Sequence, residues 1–127
     1  MGEQLMNKIK VYEYNKCSTC RKAIKFLDAH NIPYETLPIV EQAPTKKELH
    51  KMLTFYGGDI TKLFNTSGVV YREMGLGKKI KSMDTNEAIH LLSSRGKLVK
   101  RPFMISELFG LVGFKEEEWR ENLGAGH

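Results

Sequence analysis

The chemistry-bearing residues of this chain are concentrated in one run, Tyr14-Asn15-Lys16-Cys17-Ser18-Thr19-Cys20-Arg21-Lys22, which holds both of its cysteines. Two thiols separated by two residues, where a strand gives way to a helix, form a redox motif with a mechanism. Cys17 falls at the expected helix N-terminus, where unpaired backbone N–H groups and the positive end of the dipole favour thiolate over thiol. Thiolate is the nucleophile, and such positions bring a cysteine pKa from ~8.5 down to ~3.5–7.5. Lys16 and Arg21 add positive charge nearby, which makes Arg21 a candidate substrate contact. Cys20, one turn on, lies beneath the first sulfur and is placed to resolve a mixed disulfide or a sulfenic acid within the chain.

Two plainer readings compete. Zinc takes four ligands, and beyond the cysteines only His30, His50, His90 and His127 remain, with no pair at ligand spacing. A metal centre is therefore not expected. Small buried cysteines are common, and Cys20 alone would fit that description. Cys17 does not, because a polar strand-to-helix junction gives a cysteine no packing role. Further along, Lys100-Arg101-Pro102 precedes the apolar run Phe103-Met104-Ile105. Spacing alone makes this the start of a strand, where proline is tolerated.

The elements that must hold these residues follow from periodicity. Residues 9–14 alternate apolar and polar and predict a strand. Cys20, Ala23, Ile24 and Leu27 then fall on one helical face, and Asn31-Ile32-Pro33 ends that helix. Residues 34–39 read as a second strand, giving a βαβ unit with a parallel pair and a right-handed crossover. Thr45 and Glu48 fit a capping box opening a helix through Tyr56, closed by Gly57-Gly58. A short helix around 61–64 leads into the polar loop Asn65-Thr66-Ser67-Gly68. Asp84 and Glu87 fit a second capping box for a helix through Leu92, with Gly96 suited to a left-handed C-cap. Phe103-Met104-Ile105 and Leu111-Val112-Gly113 predict two short strands of an antiparallel hairpin, and residues 115–122 a final helix, acidic in its first turn. The sum is a small mixed sheet with helices packed on it.

Bulk properties narrow the class. At 127 residues, with 41% hydrophobic and 28% charged, the chain has the make-up of one globular domain. The net charge is +5, but acids and bases interleave along most of the chain. Its lysine clusters are too short for a nucleic-acid arm, so no direct nucleic-acid partner is expected. Two cysteines are too few for a disulfide-stapled secreted domain. Met1–Met6 carries no signal pattern, and no apolar run reaches membrane-spanning length. A cytoplasmic location with no membrane partner is the expectation.

The cysteine run, together with Phe64-Asn65-Thr66-Ser67-Gly68, Tyr71-Arg72, Lys100-Arg101-Pro102 and Leu111-Val112-Gly113-Phe114, resembles the glutaredoxin-dependent arsenate reductase family, which includes the Spx-type transcription regulators. The resemblance covers nearly the whole chain. It implies an α/β, thioredoxin-like (glutaredoxin-like) mixed sheet in a single domain of residues 1–127, with a helical insertion near 48–94. It implies that Cys17 is the nucleophilic or peroxide-sensing cysteine and that Pro102 is a cis proline facing it. Arg101 is then directed at an anionic partner, for which its planar fork of donors is suited.

The reductases of this type hold their oxyanion with three arginines. This chain keeps Arg101, carries Asn65 at the first of the three positions, and has no arginine between Ile105 and Phe114. It also has Cys20 where those reductases carry serine. The expected activity is therefore thiol–disulfide exchange with Cys17, Cys20 and Arg101 as catalytic residues and Arg21, Asn65 and Pro102 as substrate contacts. No bound cofactor is expected. An external thiol system (glutathione and glutaredoxin, or thioredoxin) would recycle the pair, and the substrate would be a small thiol, an oxyanion or a redox partner protein. The alternative is a redox-switched regulator of Spx type, binding the C-terminal domain of the RNA polymerase α subunit.

Overall fold

The computed structural model describes residues 8–123. The N-terminal stretch, with its expected lack of a signal, and Gly124–His127 with the last histidine lie outside them. In chain order the elements are β1 (Lys10–Glu13), α1 (Ser18–Ala29), β2 (Glu35–Pro38), α2 (Lys46–Phe55), α3 (Val69–Glu73), α4 (Leu76–Lys79), α5 (Thr85–Ser94), β3 (Phe103–Ile105), β4 (Gly110–Val112) and α6 (Glu116–Leu123). Short 3-10 turns cover Ile60–Leu63, Ile80–Ser82 and Gly96–Leu98. The chain forms two compact units, one up to Leu37 and again from Arg101, the other from Pro38 to Lys100.

The first unit is built on a four-stranded sheet in the order β2-β1-β3-β4. β3 pairs antiparallel with both β1 and β4, so the hairpin expected from the two late apolar runs is present. The β2 edge joins β1 after the α1 crossover, with the Glu35 N–H donating to the Ile9 carbonyl at 2.9 Å, and the sheet is mixed. α1 is helical because its apolar positions recur at helical spacing. It buries Cys20, and its Ala23, Phe26 and Leu27 join a core with Ile9, Val11, Met104, Leu111 and Trp119. Trp119 anchors α6: it stands edge-on to Phe26 and Phe114, and its indole N–H donates to the Gly113 carbonyl at 3.1 Å, which satisfies its one buried polar atom. α1 stops where Asn31 turns to φ 55, a left-handed position that Asn tolerates better than most residues.

In the second unit α2 packs on α5, burying Leu49, Met52, Ala88, Ile89 and Leu92. The Thr45–Glu48 capping box is complete: the Glu48 N–H donates to Thr45 Oγ1 at 3.1 Å, and the Thr45 N–H to Glu48 Oε1 at 3.0 Å. Three expectations need correction. Asp84 is the N-cap of α5, but its side chain makes no capping hydrogen bond, because the box needs a side-chain rotamer that spacing alone does not supply. Gly96 is not a left-handed cap, since the helix ends at Arg95 with φ −138. It is glycine because a Cβ there would overlap the Ile39 carbonyl oxygen. Finally, α3 and α4 fill a stretch for which periodicity predicts no helix. They are five and four residues long, too short for a 3.6-residue period to register.

Candidate active site

The site begins where β1 ends. Cys17 is the N-cap of α1, with extended backbone (φ −100, ψ 113). Its Sγ accepts the Cys20 N–H at 3.2 Å, taking the place a capping oxygen usually holds. Cys17 is half-buried, while Cys20 is fully buried. Both are free thiols. The Cys20 pKa is pushed up to about 12, first by burial and then by its hydrogen bond to the Cys17 side chain, with a Tyr14 backbone hydrogen bond opposing. Cys20 is therefore a protonated, inward-facing thiol in contact with an accessible one.

The loop that presents Cys17 is held at both ends. The Cys17 N–H donates to the Tyr14 carbonyl at 3.0 Å, and the Arg21 guanidinium donates to the Asn15 carbonyl at 2.9 Å. Arg21 is thus a brace for the cysteine loop, a role that its position in sequence does not suggest. Arg101 reaches the same loop through the pairing of β1 with β3. The two strands align Lys10 with Ile105, Val11 with Met104 and Tyr12 with Phe103. Tyr14 and Arg101 each lie two residues beyond the Tyr12–Phe103 pair, and the guanidinium carbon of Arg101 lies 5.0 Å from the centroid of the Tyr14 ring.

The Arg101–Pro102 peptide is cis. The Pro102 carbonyl accepts the Gly113 N–H at 2.9 Å, and Gly113 sits at φ 72, a backbone conformation that glycine adopts without a Cβ penalty. Cys17, Cys20, Arg21, Arg101 and Pro102 thus all belong to the first unit. Asn65 belongs to the second, half-buried in the loop after the Ile60–Leu63 turn, where its N–H donates to the Leu98 carbonyl at 2.8 Å. Arg72 there donates to the Ser67 carbonyl at 3.0 Å. Local pattern marks Tyr14 only as the end of a strand. Its contact with Arg101 depends on a register that no local pattern encodes. Among the described residues, no three histidine, cysteine, aspartate or glutamate side chains converge as metal ligands.

A mixed sheet with a Cys-x-x-Cys pair starting the first helix and a cis proline leading into β3 defines a thioredoxin-like protein. The ArsC family matches residues 12–122, and the chain belongs to it. The uncharacterized protein YusI of Bacillus subtilis (strain 168) is 44% identical over 111 residues, covering 87% of this chain and 94% of YusI. The global transcriptional regulator Spx of Streptococcus pneumoniae (strain ATCC BAA-255 / R6) is 27% identical over 104 residues, 82% of this chain and 77% of Spx. An ArsC-family-related protein of Bacteroides fragilis superposes with a TM-score of 0.85 at 47% identity, covering 90% of this chain and 96% of that one.

Proposed function

We propose that this chain is a thiol–disulfide oxidoreductase. The observation that carries the reading is the asymmetry of the pair: an accessible Cys17 at a helix N-terminus in contact with a buried, protonated Cys20. The Cys17 thiolate attacks one sulfur of an oxidised partner, and that partner's other sulfur leaves as thiolate. The Cys17 sulfur then carries a mixed disulfide. It no longer accepts a strong hydrogen bond from the Cys20 thiol or bears charge beside it, so two of the effects that keep Cys20 protonated are removed. Cys20 loses its proton to solvent and attacks the Cys17 sulfur, and the partner's thiolate departs. The oxidised pair returns to two thiols at the expense of an external glutathione or thioredoxin system, with no bound cofactor. Arsenate is a poor substrate on this reading. The chain offers Arg101 and the neutral amide of Asn65 where the resemblance implies three arginines, and losing one such donor costs ~10²–10³ in rate.

The test supplies catalytic amounts of the chain with a glutathionylated peptide, thioredoxin, thioredoxin reductase and NADPH. Many turnovers per chain, abolished by Cys17→Ser, support the reading. Oxidation that stops after one equivalent counts against it and favours a second reading, a redox-switched regulator. That second reading draws on relatives named as transcriptional regulators, Spx and the regulatory protein MgsR of Bacillus subtilis. It expects the reduced and oxidised chains to differ in affinity for the C-terminal domain of the RNA polymerase α subunit.

A further inference from the structure

Tyr14 joins the two halves of the site. Its carbonyl accepts the Cys17 N–H at 3.0 Å, its ring lies under the Arg101 guanidinium at 5.0 Å, and both residues lie just beyond the Tyr12–Phe103 pair that ends the β1–β3 ladder. We propose that Tyr14 is a positioning residue that fixes Arg101 beside Cys17 and thereby makes the site selective for anionic disulfides. The inference rests on the oxidoreductase reading and adds to it a substrate class and the residue that sets it.

An arginine side chain is long and flexible and loses much rotamer entropy when it must hold one geometry. Stacking on an aromatic face fixes the plane of the guanidinium and leaves its N–H donors directed outward around the edge. The fork is then set before a ligand arrives, so less of the ordering cost falls on binding. Tyr14 lies three residues before the nucleophile and is bonded to its backbone, so the aromatic platform and the sulfur belong to one turn. A disulfide bearing a carboxylate near its sulfur gains the charge-assisted contact, whereas a neutral one does not. The tyrosine hydroxyl has no part in this, because the ring face alone supplies the platform.

The experiment measures single-turnover attack by Cys17 in a Cys20→Ser background on two aromatic disulfides, dianionic dithiobis(nitrobenzoate) and neutral dithiodipyridine. In each reaction the Cys17 thiolate forms a new S–S bond, the reagent's S–S bond breaks, and the released aromatic thiolate is read by absorbance. The quantity of interest is the ratio of the anionic to the neutral rate. This ratio cancels any general loss of Cys17 reactivity or of folded fraction. Tyr14→Leu is expected to lower the ratio about three- to tenfold, and Arg101→Ala by a similar factor. The double variant should fall no further than the larger single loss, and Tyr14→Phe should keep the ratio within about twofold. An unchanged ratio in Tyr14→Leu overturns the inference, as do losses that multiply in the double variant. Those two results leave the oxidoreductase reading standing as long as the parent Cys17 reacts. A parent sulfur inert to both disulfides overturns both.

Discussion

At the residue scale the two cysteines have different work because their surroundings differ, not because their chemistry does. Desolvation dominates at Cys20 and holds its pKa at about 12. Cys17 keeps solvent access and a backbone donor at its sulfur. Iodoacetamide at about pH 8 should therefore modify Cys17 and spare Cys20. In Cys17→Ser, labelling of Cys20 at about pH 8 should stay low, because burial, the largest cause of its raised pKa, remains. Peptide mass mapping reads both, and labelling of Cys20 at a rate comparable to Cys17 would contradict the burial argument. The same shift has a stability consequence. Because the folded pKa lies above the ordinary value of 9.0, Cys20 contributes stability that is complete below about pH 9 and is lost as pH rises toward 12. Cys20→Ala should flatten that alkaline decline in a denaturant titration.

At the element scale two helices of equal length enter the fold differently. α2 starts on a reciprocal capping box. α5 starts on Asp84, whose side chain makes no such bond. Thr45→Ala should cost about 1 kcal/mol. Asp84→Ala should cost only about 0.3 kcal/mol, the residual interaction of its charge with the helix dipole. Urea midpoints compare the two, and equal losses would mean that the cap geometry does not govern the difference. Gly96 tests close approach in the same way. A methyl group there meets backbone rather than a side chain that can swing aside, so Gly96→Ala should lose about 2 kcal/mol or more. Gly57→Ala meets open space and carries only the strain of φ +68, about 1 kcal/mol. A Gly96→Ala midpoint no lower than that of Gly57→Ala would remove the steric explanation.

At the scale of the whole molecule, the net charge of +5 sets a long-range field. It attracts anions toward the chain, and salt weakens it, with a Debye length of about 10 Å at 0.1 M. The rate of Cys17 with the dianionic disulfide should fall roughly threefold between about 0.02 M and 0.5 M salt, while the rate with the neutral one stays flat. Tyr14→Leu should keep this slope, since the field belongs to the whole chain and not to one contact. A salt response equal for both disulfides would show that charge plays no part in encounter.

Much of this protein is legible in the amino-acid sequence by itself. The strand of residues 10–13, the helix carrying Cys20 on its inner face, the Thr45 cap and the late hairpin follow from periodicity and capping chemistry. These act between residues a few positions apart. The thiol pair is legible for the same reason, because both sulfurs lie within one helical turn. What the tertiary structure alone decided involves residues distant in sequence. Arg101 stands over Tyr14 because β1 and β3 pair in one register and not another. Gly96 is required by the Ile39 carbonyl, not by the end of its own helix. A spacing rule describes one element at a time. Register and close approach are properties of two segments brought together by the burial of their apolar faces, so they exist only once the chain has folded.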